Sequence, residues 1–253
     1  MFYSKKLNRF NDLKHCFFNK LGGESKGIYK SLNCGLGSLD KKKIVKANIK
    51  KACLKLTKRY DELILLKQTH SNKFHFIKEN NSKIRIKLKG DALITKNKKI
   101  ILGILTADCA PIFIYDKKLK IISAIHAGWK GAYKGIIKNV VNYLIDKGSQ
   151  TKNLIAVIGP CISQKSYEIK HDFKTKFLKQ SIKNKIFFKK IKGKTYFSLN
   201  KYIYQQLHEL NIGKIEIIEK DTFLKKNNFF SARRSFKKNI YDYGRNISLI
   251  MIK

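Results

Sequence analysis

Three side chains able to bind a metal or attack a substrate, His70, Cys109 and His126, each fall where a predicted strand ends. Residues 63–66 read as a strand running into Gln68-Thr69-His70. Cys109 lies in the turn Thr106-Ala107-Asp108-Cys109-Ala110-Pro111, and His126 closes the apolar run 121–125. Thirty-nine positions separate the first two and seventeen the last two, too many for a local zinc finger. Strands of one sheet can nevertheless bring such ends together. Two imidazoles and a thiolate suit zinc, and three protein ligands leave a fourth position for water or substrate, as in catalytic sites. Water bound there ionises near pH ~7. The same residues admit a second chemistry, a cysteine hydrolase or amidase with Cys109 as nucleophile, His126 as base and Asp108 or Gln68 as orienter. Spacing alone also fits ordinary histidines at strand ends. His15, His75, His171 and His208 have no comparable context.

The elements that must position these residues are legible from periodicity. After Asp40, a plausible N-cap, Val45, Ile49, Ala52, Cys53 and Leu56 fall at helical spacing. Short β-like runs follow at 74–77, 92–95, 100–105, 112–115 and 121–125, and the four within 92–125 are expected to be neighbours in a sheet. Ala132, Ile136, Val140 and Leu144 keep a four-residue step of one helix, with Gly148 where a C-terminal glycine belongs. Residues 154–158 read as a strand stopping at Gly159-Pro160. Leu199, Ile203, Leu207 and Leu210 mark another helix, and 215–218 and 247–252 complete the strands. The region 20–37 is the most loop-like, punctuated by Gly22, Gly23, Gly27, Gly35 and Gly37. Strands and helices mix without strict alternation, which gives an α+β or mixed α/β fold.

Composition narrows the class of protein. With 253 residues, 43% of them apolar, the chain can bury a sizeable core in one domain, taken as 1–253. The longest apolar stretch, 100–107, falls far short of the ~20 residues of a membrane span. Residues 1–10 are polar and basic with no apolar block behind them, so a cytoplasmic location is expected. Five widely spaced cysteines without a C-x-x-C pair argue for reduced thiols. A net charge of +39 invites a polyanion-binding reading. Against it, only six of 56 basic residues are arginines (9, 59, 85, 233, 234 and 245), and lysines spread over nearly every segment. Scarce proline beside abundant Lys, Asn, Ile and Phe matches translation of an AT-rich genome. No dedicated nucleic-acid site is expected.

The local wording is more specific. Gln68-Thr69-His70, Gly90-Asp91-Ala92-Leu93-Ile94-Thr95, Thr106-Ala107-Asp108-Cys109-Ala110-Pro111 and His126-Ala127-Gly128-Trp129-Lys130-Gly131 occur in that order. Ile158-Gly159-Pro160-Cys161-Ile162, Phe230-Ser231-Ala232-Arg233-Arg234 and Gly244-Arg245 follow. Together with Gly22-Gly23, Ser31-Leu32-Asn33 and Gly35, this set closely resembles the YfiH family over about residues 15–252. That family is also labelled polyphenol oxidoreductase laccase, purine nucleoside phosphorylase or peptidoglycan editing factor. The resemblance implies zinc on His70, Cys109 and His126 and a single domain of αββα layers. It also implies phosphorolysis of adenosine, inosine, guanosine and methylthioadenosine, with adenosine deamination alongside, so that purine nucleoside and phosphate are the expected partners. Peptidoglycan precursor editing, the remaining family label, suits the cysteine-hydrolase alternative. The sequence departs from the family at Ser71, usually Gly, at Lys20-Leu21, usually Thr-Arg, and at Asp221-Thr222, often Cys-Thr. The Lys20-Leu21 change removes one expected phosphate-binding arginine.

Other residues carry paired readings. Residues 128–131 place backbone N–H groups of a helix start near the metal region, where phosphate binds well, and Lys130 adds charge; the same segment also reads as a tight turn with Trp129 in the core. Arg233 and Arg234 are candidates to clamp phosphate or ribose, or form a surface pair. Asp108 either orients a ligand or caps its turn. Gln68 and Asn33 either read a purine edge or ribose, or hold loops together. Copper chemistry is poorly supported, since there is no H-x-H pair and six histidines are too few for a multicopper cluster with blue copper. The usual zinc-deaminase signature is absent, because Pro160-Cys161 does not continue as C-x-x-C. A P-loop is missing too.

Diffuse lysines act on nucleic acid through counterion release. Binding to DNA or RNA should therefore be weak, indifferent to sequence and steeply lost as salt rises in a filter-binding titration. Tight, sequence-selective binding at physiological salt would promote the polyanion-binding class over both enzymes.

Overall fold

The computed structural model describes residues 1–58, 62–78 and 88–253; Arg59 and Arg85, counted above, lie outside them. In chain order its strands and helices are β1 (Leu13–Phe17), α1 (Lys42–Thr57), β2 (Glu62–Ile64), β3 (Phe74–Ile77), β4 (Ala92–Thr95) and β5 (Ile100–Thr106). Then come β6 (Ala110–Asp116), β7 (Ile121–Ala127), α2 (Trp129–Tyr133), α3 (Ile136–Asp146), β8 (Leu154–Ile158), β9 (Glu168–Ile169) and α4 (His171–Gln180). The C-terminal part holds β10 (Phe188–Ile191), β11 (Lys194–Phe197), α5 (Leu199–Glu209), β12 (Lys214–Ile217), α6 (Ala232–Phe236) and β13 (Asn246–Ile252).

Every residue of β6 is buried, so this strand has no water-facing side. Its alternation therefore divides two cores. Ile112 and Ile114 pack with Ile136, Val140 and Leu144 of α3 and Ile203 and Leu207 of α5. Phe113 and Tyr115, pointing the other way, meet Leu102 and Ile104 of β5 and Ile250 of β13. A third cluster sets Ile101, Leu249 and Met251 against Val45, Ile49 and Ala52 of α1. The strand orders are β1-β13-β5-β2 and β12-β8-β6-β7-β4-β3, with a small β10-β11-β9 sheet beside them. Two sheets thus lie face to face with helices outside each: α1, four strands, six strands, then α3 and α5. This is the expected α+β fold with αββα layers.

Three expectations need correction. The runs 92–125 are not all neighbours, because β5 joins the four-stranded sheet while β4, β6 and β7 share the six-stranded one. Being apolar on both faces, β5 serves equally well between two cores, and periodicity does not say which sheet takes it. Asp40 does not cap α1. Its carboxylate accepts from Ser25 Oγ at 2.6 Å, Asn33 Nδ2 at 3.0 Å and the Lys41 N–H at 2.8 Å, and Lys41 is the residue preceding the helix. The helix expected from Ala132 onwards is two, since Gly135 takes φ +83° between α2 and α3, a left-handed conformation that glycine adopts cheaply. Among the described residues no helix is long and apolar enough to cross a membrane.

Candidate metal and active site

The site forms where the chain passes between sheets. Because β5 and β6 belong to different sheets, Ala107-Asp108-Cys109 is the crossing segment, and it turns through Asp108 at φ +86°. This costly backbone is held by its own side chain, whose oxygens accept from Thr222 Oγ1 at 2.7 Å, Ser231 Oγ at 2.9 Å and the Arg233 N–H at 2.7 Å. Cys109 emerges from the turn. His126 stands in β7, directly paired with Pro111 of β6. His70 follows β2 in a loop and has φ +55°.

Asp91, immediately before β4, ties these segments together. Fully buried, it accepts from His126 Nδ1 at 2.8 Å, the His70 N–H at 3.0 Å, and both the N–H and Oγ of Ser71 at 2.6 Å. Thr69 adds its N–H and hydroxyl at 3.2 Å. Burial opposes ionisation of this carboxyl, yet the hydrogen bonds from His126 and Ser71 outweigh it and hold it well below the usual carboxylate range. With Nδ1 donating to Asp91, Nε2 is the nitrogen left to bind a metal once its own proton is displaced.

The donor atoms of His70, Cys109 and His126 all lie within 4.8 Å of one another, and His70 Nε2 is 3.7 Å from Cys109 Sγ. A tetrahedral ion with bonds of about 2.3 Å to sulfur and 2.0 Å to nitrogen would separate those two atoms by about 3.5 Å. The three side chains can therefore hold a metal ion. Gly128 is needed beside them, because a Cβ there would come within 2.8 Å of both Cys109 Sγ and His70 Cδ2. The sulfur is also electrostatically prepared. Burial pushes its thiol up, but the His126 charge and hydrogen bonds from both imidazoles bring it down to about 6. Burial likewise opposes charge on His126, and the Cys109 thiolate and Asp91 raise it to about 9.

A cleft of about 460 Å³ opens onto this group and is lined also by Leu36, Gly37, Gln68, Leu105, Tyr243 and Arg245. That volume suits a small organic ligand. Arg245 lies over the Tyr243 ring at 4.3 Å and is paired with Asp242 at 3.3 Å. Gly35 makes room for it, since a Cβ there would sit 2.4 Å from Arg245 Cδ.

The other residues singled out in the sequence divide by location. Gln68 lines the cleft but clasps the backbone of Leu105, donating to its carbonyl at 2.7 Å and accepting from its N–H at 2.9 Å. Asn33 is fully buried and saturated: Nδ2 donates to Ser38 and Asp40, and Oδ1 accepts from the N–H groups of Gly35 and Arg245. It shapes the cleft wall and has no group left to read a substrate. Arg234 is turned inward, donating to the carbonyls of Thr222, Phe223 and Phe229, so it closes a loop and is not available as an anion clamp. Asp108 braces the turn instead of orienting a ligand; Asp91 does the orienting. Lys130 is exposed on the five-residue α2, its ammonium 5.6 Å from the Trp129 ring. Arg233 donates to the Glu168 carbonyl and stands in a second cleft that also reaches Cys109. Sequence reasoning assigned no role to Asp91, Tyr243 or Arg245. An acidic residue directly before the apolar run Ala92-Leu93-Ile94 was the available signal for Asp91.

The sequence pattern of the family described as multi-copper polyphenol oxidoreductase laccase matches residues 14–253. The chain belongs to that family. Within it, a protein of Rickettsia prowazekii named purine nucleoside phosphorylase RP494 is 37% identical over 76% of this chain and 79% of its own length. A purine nucleoside phosphorylase of Bacteroides thetaiotaomicron is 30% identical over 97% and 94%. The crystal structure of the hypothetical protein YfiH of Bacillus licheniformis superposes with a TM-score of 0.87 at 29% identity, covering 96% of this chain and 94% of that one. The YfiH family thus supplies the fold. Its copper-based description finds one group of three clustered His/Cys/Asp/Glu ligands among the described residues of this member.

Metal uptake should be pH-dependent in a defined direction. Ligands bind deprotonated. Cys109 is ionised above about 6 and His126 stays protonated below about 9, so an ion entering between those values displaces the His126 proton. Affinity should rise about tenfold per pH unit across that window, with one proton released per ion. Calorimetry in buffers of different ionisation enthalpy counts that proton. His70→Ala, Cys109→Ala and His126→Ala should each lose most of the metal by elemental analysis, and normal content in all three would remove the metal site.

Proposed function

We propose that this protein is a zinc-dependent purine nucleoside enzyme of the cytoplasm that phosphorolyses adenosine, inosine, guanosine and methylthioadenosine and deaminates adenosine. The observation that carries this reading is the His70, Cys109 and His126 group at the floor of a nucleoside-sized cleft, in a chain similar over most of its length to proteins named purine nucleoside phosphorylase. Two nitrogens and one thiolate are a donor set for zinc, and three protein ligands leave a position open. Zinc held there by His70, Cys109 and His126 would supply Lewis acidity.

The chain's own residues do the rest. Tyr243 and Arg245, stacked on each other, offer a planar cationic surface for a purine ring at one wall of the cleft. Gln68 keeps one amide hydrogen and one oxygen lone pair beyond its two bonds to Leu105, enough for one ribose hydroxyl. In phosphorolysis a phosphate oxygen bonds to C1′ as the bond from C1′ to N9 breaks. The electron pair leaves with the purine, which takes up a proton. In deamination a water oxygen adds at C6 and ammonia departs.

One observation favours a second reading. Cys109, His126 and Asp91 stand in the order nucleophile, base and orienter, with the thiol already brought down to about 6. A cysteine hydrolase or amidase, including one that edits peptidoglycan precursors, would use that relay, with Asp91 in the place expected of Asp108 or Gln68.

Product analysis separates the two. Zinc-loaded protein incubated with adenosine should give adenine only when phosphate is present, and inosine with or without it. Cys109 should resist alkylation until a chelator is added, because its thiolate is engaged by the metal. A covalent acyl adduct on Cys109 with a natural substrate would overturn the zinc mechanism and install the hydrolase.

A further inference from the structure

Cys109 borders two clefts. The one described above reaches it past Gln68 and Arg245; the other, of about 180 Å³, reaches it past Trp129, Tyr167, Arg233 and Phe236, and Cys109 is the one residue lining both. The second cleft is an odd companion to a packed core. Its walls are aromatic, yet they carry two polar groups. Arg233 uses one Nη1 bond, to the Glu168 carbonyl at 2.7 Å, its Nε and Nη2 have no side-chain or main-chain partner among the described residues, and its guanidinium is steadied 5.3 Å above the Tyr167 ring. Tyr167 also lines the cleft, and its hydroxyl is not among the buried groups left unsatisfied, so it is open to solvent or ligand.

Charge around this cleft is positive. Lys130 and Lys176 hold their ammonium groups 5.6 and 5.7 Å from the Trp129 ring that forms one wall. The opposing carboxylate, Asp108, is covered by bonds from Thr222, Ser231 and the Arg233 main chain. A guanidinium edge and a phenol at an aromatic cleft bordered by cations are complementary to a tetrahedral oxyanion, which accepts from both. A purine nucleoside is too large for that space; an inorganic anion is not. The neighbouring Arg234, turned to three carbonyls, contributes charge but no donor.

We propose that the cleft lined by Trp129, Tyr167, Arg233 and Phe236 is a binding site for a phosphate-sized oxyanion, which reaches Cys109 by an approach separate from the nucleoside cleft. That the anion is inorganic phosphate rests on the phosphorylase reading; the site itself rests on the cleft. Nucleoside and phosphate then load independently, each through its own opening.

Binding of inorganic phosphate and of adenosine, measured separately by calorimetry on the metal-loaded protein at physiological salt, tests this. Arg233→Met should weaken phosphate binding at least about tenfold, the loss of a charge-assisted contact, and shift adenosine binding less than about twofold. Tyr167→Phe should weaken phosphate by a smaller factor, and Arg233→Lys should recover part of the loss, which a merely unfolded variant would not. Arg245→Met should do the reverse, weakening adenosine and sparing phosphate. Wild-type protein that binds no phosphate, phosphate affinity unchanged in Arg233→Met, or a phosphate loss as large in Arg245→Met would each overturn the site. Phosphate binding that follows Arg233 in a protein that never cleaves adenosine would uphold the site and overturn the phosphorylase reading. Phosphate-dependent cleavage whose KM for phosphate ignores Arg233 would do the opposite.

Discussion

The arrangement of the candidate site depends on one buried carboxylate. Asp91 has no exposure to water, and leaving such a charge unpaired would cost several kcal/mol. It is instead surrounded by donors from Thr69, His70, Ser71 and His126. Its own main chain extends the tie, since Asp91 donates to the Lys73 carbonyl at 2.8 Å and accepts from the His126 N–H at 2.7 Å. The start of β4, the end of β7 and the His70 loop are thereby fixed to one another. Two imidazoles more than fifty positions apart in sequence are oriented by the same group, one through its ring and one through its backbone.

Cys109 is placed by a different device. A chain that leaves one sheet for the other must turn sharply, and here it does so through a non-glycine residue in the left-handed region. Asp108 can hold that shape because the segment 221–234 folds over it with Thr222, Ser231 and the Arg233 N–H, and Arg234 locks that segment to its own carbonyls. The Phe230-Ser231-Ala232-Arg233-Arg234 stretch is thus mainly a brace for the thiolate-bearing turn. One of its arginines, Arg233, also lines the second cleft.

What could be read from the sequence follows from this division of labour. Helix positions were legible where apolar residues recur every three or four positions, as in α1 and α5, and strands as short apolar runs, as in β5 and β6. Which sheet takes a strand buried on both faces was not legible, so that of β5 stayed hidden, nor was the break that a single glycine makes in a continuous period, as Gly135 does. The short β1 and the aromatic α4 left too little pattern to be read. His70, Cys109 and His126 were found because ligand chemistry is carried by residue type. Roles that depend on which hydrogen bonds are already made were not legible. Asn33, Asp108 and Arg234 have the chemistry of substrate-binding groups and are saturated by their own protein, whereas Asp91 looked like one more acidic residue at the head of a strand.

The same principle bears on the two chemistries open to Cys109. A nucleophilic thiolate needs one imidazole, oriented by one carboxylate, and His126 with Asp91 would meet that need alone. His70 would then be superfluous, yet the protein holds it in a left-handed conformation against Cys109, with three consecutive residues bonded to Asp91 to keep it there. Glycine at 128 leaves the space between the sulfur and that second imidazole clear. Strain maintained at a point where catalysis by cysteine has no use for it is accounted for by a centre that needs a third donor. A metal ion is such a centre.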